Sequence, residues 1–352
     1  MKKKLFVLAS LFVAVSLILA GCGAPATPQI IEKEVKVEVT KVVEVTAVPQ
    51  PAEGGEIAVI VKTGNSSFWQ NVQTGAMDAQ NELKANTPKL TVTFLGAQSE
   101  SNINEQINIV ESAIDRGVKA IVLAPSDTKA LIPVVEKAKA AGIPVVIIDS
   151  LLEGPEDNYV SFLATDNKAA GEACAQRMIE LLNKAGKTEG NIQVMSYVAG
   201  VGSEIGRVGG FNDYIKANSK FTLLETQYSN ADMPTALNQT TNVLTANPDL
   251  VGIFGANEPT AIGMGRAIEQ AGLSGKIVAI GFDGNSVLAE MVNNNTLQAI
   301  AVQSSYNMGY LGVMTAYQVA IEGKTVEHFV DTGFVIVDKD NIESEEARNV
   351  LY

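Results

Sequence analysis

From Glu56 onward the chain repeats one unit: an apolar run of five to eight residues, then a longer segment with helical spacing. The runs are Ile57–Val61, Leu90–Leu95, Ala120–Ala124, Pro144–Ile148, Tyr159–Leu163, Ile192–Tyr197, Phe221–Tyr228, Leu250–Phe254, Ile277–Phe282 and Leu297–Val302. Between them lie patterns such as Ile103, Ile107, Val110 and Ile114, which fall on one helical face. Strand then helix, repeated, predicts a parallel sheet with helices on both faces. Continuous apolar strands such as Val145-Val146-Ile147-Ile148 agree, because parallel strands are buried on both sides. The roughly 297 residues after position 55 suffice for two lobes of ordinary domain size.

The residues before that repeat differ. Lys2, Lys3 and Lys4 precede an apolar stretch, Leu5 to Ala20, broken only by Ser10 and Ser16. It is shorter than the roughly 20 residues of a membrane span and suits a secretory signal peptide. The ending Leu19-Ala20-Gly21-Cys22 resembles the lipobox of bacterial lipoproteins, which implies cleavage after residue 21 and a lipid on Cys22; the alternative is an ordinary signal peptide with an incidental cysteine. Residues 22–55 read as an extended tether, rich in Gly, Pro and Ala at its ends, with Glu or Lys alternating with Val between Glu32 and Thr46. A short strand pairing with another chain is the other reading of that alternation. The expected location is outside the cytoplasm, in the periplasm or on the outer face of the membrane.

Composition removes several functions. With 46% apolar and 18% charged residues the chain is not of the disordered class. A net charge of −13 lacks the Lys/Arg excess that phosphate neutralisation needs, so no nucleic-acid partner is expected. Two cysteines exclude a disulfide scaffold, and His328, the single histidine, excludes a multi-histidine metal cage. Neither metal nor cofactor is expected. Cys174, within the helical pattern Asn167–Leu182, reads as a buried small residue, and the nine methionines as core filling.

In open α/β sheets ligands bind beyond the carboxyl ends of the strands. Asp149 follows Val145–Ile148, Asn257 follows Val251–Phe254, Asp283 follows Ile277–Phe282, and Gln303 follows Leu297–Val302. Phe68 and Trp69 lie in the loop after Ile57–Val61, and Arg207 follows the Ala199–Gly206 loop. Each alone has a bland explanation. An Asp or Asn after a strand often caps the next helix, and paired aromatics at a helix start often pack inward. Together, carboxylates, amides, a guanidinium fork and flat aromatic faces suit a neutral polyol: hydroxyls pair with donors and acceptors, and the C–H face of a sugar lies on a ring.

The order of motifs supports this. Ile57–Val61, Asn65-Ser66-Ser67-Phe68-Trp69, Gly142-Ile143-Pro144-Val145 ending at Asp149, Gly206-Arg207 with Phe211, Gly255-Ala256-Asn257-Glu258, Gly281-Phe282-Asp283-Gly284 and Gln303 follow one another at compatible spacing. The stretch from about Glu56 to Val337 resembles the ribose/galactose class of periplasmic sugar-binding proteins, the extracytoplasmic receptors of ABC importers. That resemblance implies a type I periplasmic binding protein fold: α/β, two Rossmann-like lobes with parallel sheets, joined by three crossovers near Thr165, Ser304 and Gly333. Residues 56–165 plus 304–332 would form the N-terminal lobe, and 166–303 plus 333–352 the C-terminal lobe. It implies that Phe68 and Trp69 flank the sugar ring and that Asp149, Arg207, Asn257, Asp283 and Gln303 bond its hydroxyls. It also implies a monomer that works with a membrane permease and its ATPase.

The chain departs from the ribose-binding pattern at several points. Ser150 stands where that pattern has an Arg after the strand-end Asp, and the place of its third aromatic falls near Ala231, so both the Arg and the aromatic are lost. Lys62 replaces a small polar residue, and Ser66 an Asn. These changes favour an aldohexose such as glucose over ribose or another pentose. A sugar or quorum-signal receptor would use the same cleft. A glycosidase would need Asp149 and Asp283 at a defined separation with one pKa raised. The Gly200-Val201-Gly202-Ser203-Glu204-Ile205-Gly206 stretch, with Glu225 downstream, imitates a dinucleotide turn but has one residue too many between its last glycines. Hydrolysis of the Ser-His-Asp kind would have to use His328, which has no nucleophile-elbow motif near it.

Overall fold

A computed structural model of the chain describes residues 54–352. The signal peptide of residues 1–21, the lipidation of Cys22 and the tether as far as residue 53 lie outside the described residues. The first elements are β1 (Glu56–Thr63), α1 (Ser67–Leu83), β2 (Thr91–Ala97), α2 (Ile103–Asp115), β3 (Ala120–Leu123), α3 (Ile132–Ala140), β4 (Val145–Ile148) and β5 (Ser161–Ala164). Then come α4 (Asn167–Lys184), β6 (Glu189–Ser196), α5 (Gly202–Asn218), β7 (Lys220–Leu223), β8 (Gln227–Tyr228), α6 (Met233–Ala246) and β9 (Leu250–Gly255). The chain continues through α7 (Glu258–Gln270), β10 (Val278–Phe282), α8 (Ser286–Asn293), β11 (Ala299–Gln303), α9 (Ser305–Ala320), β12 (Phe329–Asp331), β13 (Phe334–Asp338) and α10 (Glu345–Arg348).

Two sheets result. The first runs β12-β5-β4-β3-β1-β2 and the second β13-β11-β10-β9-β6-β7, with β8 paired to β6. Strands β3 and β4, reading AIVL and VVII, are buried along their whole length, as strands covered by helices on both faces must be. Each sheet has two apolar clusters, one per face. For the first these centre on Val59, Val122 and Ile148 and on Ile60, Ile121 and Ile147. For the second they centre on Val194, Phe254 and Phe282 and on Ile253, Ala279 and Ile300.

The chain passes between the sheets three times: from β5 into α4, from β11 into α9, which packs on β3 and β4, and from β12 into β13. The first and third passages are tied together. Thr165 Oγ1 donates to the Gly333 carbonyl at 3.3 Å, and Thr332 N donates to the Ala164 carbonyl at 3.0 Å.

Three features differ from the sequence reading. The run Phe221–Tyr228 divides into β7 and β8, which pair with separate stretches of β6, with Leu224, Glu225 and Thr226 between them. Strands β12 and β13 were not among the predicted runs. Of these, β13 pairs antiparallel with β11, because it enters the second sheet from the third passage at its carboxyl edge. Cys174 is buried in α4 as expected, and burial pushes its thiol up to about 12.

Candidate functional site

Register places the site. Val59 pairs with Val122 and Val122 with Val146 in the first sheet; Val194 pairs with Phe254 and Phe254 with Ile280 in the second. Three residues past these rows stand Lys62 and Asp149 on one sheet, and Tyr197, Asn257 and Asp283 on the other. Asp149 and Asp283 therefore occupy matching strand ends. Their backbones match as well: each has a positive φ, 62° and 75°, and each donates its N–H to the neighbouring strand, to Leu163 and Ala301. A non-glycine residue in that region costs about 1–3 kcal/mol and persists only where its surroundings enforce it. Neither Asp caps the helix that follows it; Asp166 and Asn285 do that for α4 and α8.

On the first sheet, Lys62 Nζ lies 2.6 Å from Asp149 Oδ2 and 2.6 Å from Ser150 Oγ, with 2% of its surface exposed. The ammonium thus sits beside the position where the resemblance led one to look for an arginine. It is also 5.7 Å from the Trp69 ring centroid, within cation–π range. Phe68 and Trp69 open α1 and meet edge to face at 4.8 Å. They do pack inward, as part of the core cluster, and they also line the cavity. Trp69 Nε1 donates to Glu100 Oε1 at 2.9 Å, and burial pushes the Glu100 carboxyl up despite nearby Lys62.

On the second sheet, Arg207 stands on α5, 2% exposed, with its guanidinium 3.5 Å over the Phe282 ring and 5.6 Å from Tyr197. Its Nη1 donates to the Ala256 carbonyl at 2.6 Å, and Nε and Nη2 donate to Asn167 Oδ1 at 3.2 and 2.7 Å. These bonds use three of its five N–H groups, and among the described residues no carboxylate lies within ion-pair distance. Asp283 accepts from Gln303 Nε2 at 2.9 Å and from the Glu258 amide at 2.8 Å. Burial, opposed by Arg207, pushes its carboxyl up to about 6. Asn257 serves twice: Oδ1 caps α7 through Thr260 N, and the residue lines the cavity. Gln303 Oε1 is buried without a partner.

These side chains surround a small, partly open cavity, with about 300 Å³ of non-atom space among them when adjoining solvent is included. All nine predicted residues, Lys62, Ser66, Phe68, Trp69, Asp149, Arg207, Asn257, Asp283 and Gln303, line it. Glu100, Tyr197, Ser203, Glu258 and Pro259 line it too and were not predicted. Three of these carried a readable signal: Tyr197 ends an apolar run, Glu100 follows one, and Glu258 adjoins Asn257. The imitation dinucleotide turn serves packing instead. A methyl group on Gly202 would lie 2.7 Å from Leu151 N and 2.8 Å from its carbonyl oxygen, so a neighbouring backbone fills the place where a pyrophosphate would have to approach.

Two doubly wound sheets facing each other across a polar cavity, linked by three passages, define a class, and the chain belongs to it: residues 57–325 match the family described as periplasmic binding protein domain. Among its relatives is the D-allose-binding periplasmic protein of Escherichia coli (strain K12), 28% identical over 288 residues, which are 80% of this chain and 90% of that one. A solute-binding protein of an ABC transporter from Agrobacterium vitis, solved with bound D-fucose, is 61% identical, with a TM-score of 0.81 over 85% of this chain and all of the other. A carbohydrate-transporter solute-binding protein from Agrobacterium radiobacter in complex with D-arabinose is 34% identical, with a TM-score of 0.80, covering 85% of this chain and 99% of that one.

Proposed function

We propose that the chain is the solute-binding component of an ABC importer: its two lobes close on one neutral monosaccharide and present it to a membrane permease driven by an ATPase. The observation that carries this is the buried Arg207. A guanidinium held between Phe282 and Tyr197, with no carboxylate partner and N–H groups to spare, calls for acceptor oxygens from a ligand. Around it, Asp149, Asp283, Glu100 and Glu258 against Lys62 and Arg207 give more acidic than basic groups, which suits donating hydroxyls and disfavours an anionic ligand.

Within this reading the nine residues Lys62, Ser66, Phe68, Trp69, Asp149, Arg207, Asn257, Asp283 and Gln303 bind the ring, with Phe68 and Trp69 against its C–H face. The lobes are residues 56–165 plus 304–332 and 166–303 plus 333–352, and they hinge at the three passages. Residues 1–21 are the export signal, Cys22 carries the lipid, and residues 22–55 hold a monomeric receptor off the outer surface of the cytoplasmic membrane. The ligand is a six-carbon aldose ahead of a pentose. D-fucose in the 61% identical neighbour and D-allose in the named relative support a six-carbon sugar, and D-arabinose in the 34% identical neighbour supports a pentose. The chain transforms nothing. Asp149 is engaged by Lys62 and Ser150, and both Asp283 oxygens accept from amides, so neither is placed as acid or nucleophile.

Calorimetry with D-fucose, D-allose, D-glucose, D-arabinose and D-ribose tests the proposal. Micromolar affinity, about −8 kcal/mol, is expected for D-fucose, with the pentoses weaker. Heat absent for all five sugars would overturn the ligand class, and release of free sugar from glycosides would overturn the non-enzymatic reading.

A further inference from the structure

The start of α1 belongs to the first lobe, yet its cap comes from the second. Ser66, at the capping position, makes no side-chain bond to the helix, and the first turn of α1 carries no acidic residue. Instead Glu258, the first residue of α7, reaches across the cleft. Its Oε1 accepts from Ser67 N and its Oε2 from Phe68 N, both at 3.0 Å. Carboxyl oxygens against these amides are favourable because the first N–H groups of a helix have no partner within it. Tyr352, whose N–H donates to the Gly284 carbonyl of the second lobe, donates its hydroxyl to Glu258 Oε2 at 3.1 Å while its ring packs against the core of the first. Asn285 Nδ2 adds a bond to Ser67 Oγ at 3.2 Å.

The backbone of the same residue leads back into the cavity. Glu258 N donates to Asp283 Oδ2, and the α1 turn that its side chain caps carries Phe68 and Trp69. One residue thus joins a cavity carboxylate of one lobe to the aromatic pair of the other. A bond between lobes exists only when they are closed, so whatever it contributes acts on the closed state alone.

We infer that Glu258, backed by Tyr352, is a cross-cleft clasp: a positioning residue that caps α1 from the opposite lobe and sets how long the closed, loaded state lasts. The inference rests on the sugar-capture reading for its cargo, but the clasp itself is a contact between lobes that can be read without any sugar. Its effect falls on departure of the ligand rather than on arrival, because an open cleft admits cargo before the clasp forms.

Two measurements on the full chain at about pH 6 test it. Hydrogen exchange, without ligand and with saturating D-fucose, reads the Ser67 and Phe68 amides directly; in whichever state protects them in the unsubstituted chain, Glu258→Ala is expected to lower that protection about tenfold while buried amides of β4 keep theirs. Stopped-flow fluorescence with D-fucose uses Trp69, the single tryptophan, as reporter. In Glu258→Ala dissociation is expected to be about tenfold faster with association within about twofold, and Tyr352→Phe to fall between this variant and the unsubstituted chain. Unchanged protection of Ser67 and Phe68 in Glu258→Ala, or an unchanged dissociation rate while D-fucose still alters Trp69 emission, overturns the clasp. If D-fucose leaves Trp69 unaltered in the unsubstituted chain, the sugar reading falls instead, and exchange at the two amides alone decides the clasp.

Discussion

Asp149 and Asp283 stand at the same place in two sheets of the same winding, with the same backbone twist, yet they are held in opposite ways. Asp149 faces a full cation, Lys62, delivered from the end of β1. The matching position in the second sheet is Tyr197, and Asp283 is held by a side-chain amide and a backbone N–H. Burial, opposed by the charge of Arg207, pushes Asp283 up to about 6. Equivalent strand ends thus supply the cavity with one acceptor locked in an ion pair and one poised near neutrality. Duplicated topology fixes where a functional group stands, and the neighbouring strand decides its chemistry.

The largest effect that would break this contrast comes from removing the cation. Lys62→Met leaves Asp149 buried without its partner, and urea denaturation should show a loss of about 3–5 kcal/mol, with Asp149→Asn in the same chain recovering most of it. If Lys62→Met were as stable as the unsubstituted chain, Lys62 would not be what supports the buried Asp149. Next comes Asp283→Ala. Its predicted cost is ligand affinity, roughly 1.5–3 kcal/mol or about ten- to over a hundredfold by calorimetry. Equal D-fucose affinity in the variant and the unsubstituted chain would remove Asp283 from the site.

The smallest effect sharpens the contrast through pH. Burial and the charge of Asp283 push Glu258 up to about 7; around it stand Asp283 at the end of β10 and the Tyr352 hydroxyl, and α1 presents only its amides. A carboxyl raised in the closed state favours closure while it is protonated, and that contribution is lost as pH rises through the raised value. Asp283 acts in the same direction about one unit lower. Closure should therefore take up protons, and protection of the Ser67 amide should decline several-fold between about pH 5 and about pH 8. Glu258→Gln should flatten that decline, leaving only the part that Asp283 contributes.

Much of this was legible in the sequence because sheet and site obey one rule. Buried parallel strands are apolar runs, and functional groups follow their carboxyl ends, so Asp149, Asn257, Asp283 and Gln303 could be picked out without coordinates. Two kinds of information were not there. Strands β12 and β13 owe their existence to edge pairing; β12 is three residues long with Phe329 exposed, too little for a periodic signal. The other is contact across the cleft. Glu258 looks like a first-turn acid stabilising its own helix, and only the meeting of two lobes shows it serving α1. The capping explanation proved right for Asn257 without displacing its place in the cavity, and wrong for both aspartates with respect to the helices that follow them; their positive φ no residue pattern announces.

Gly202 carries a consequence for evolution of the receptor. The Leu151 backbone takes up the room that a methyl on Gly202 would need, so the thickness of that one absent group gauges how far the two jaws can shut. A chain that restored that carbon would hold a wider berth and admit bulkier freight, with every group that touches the cargo left as it is.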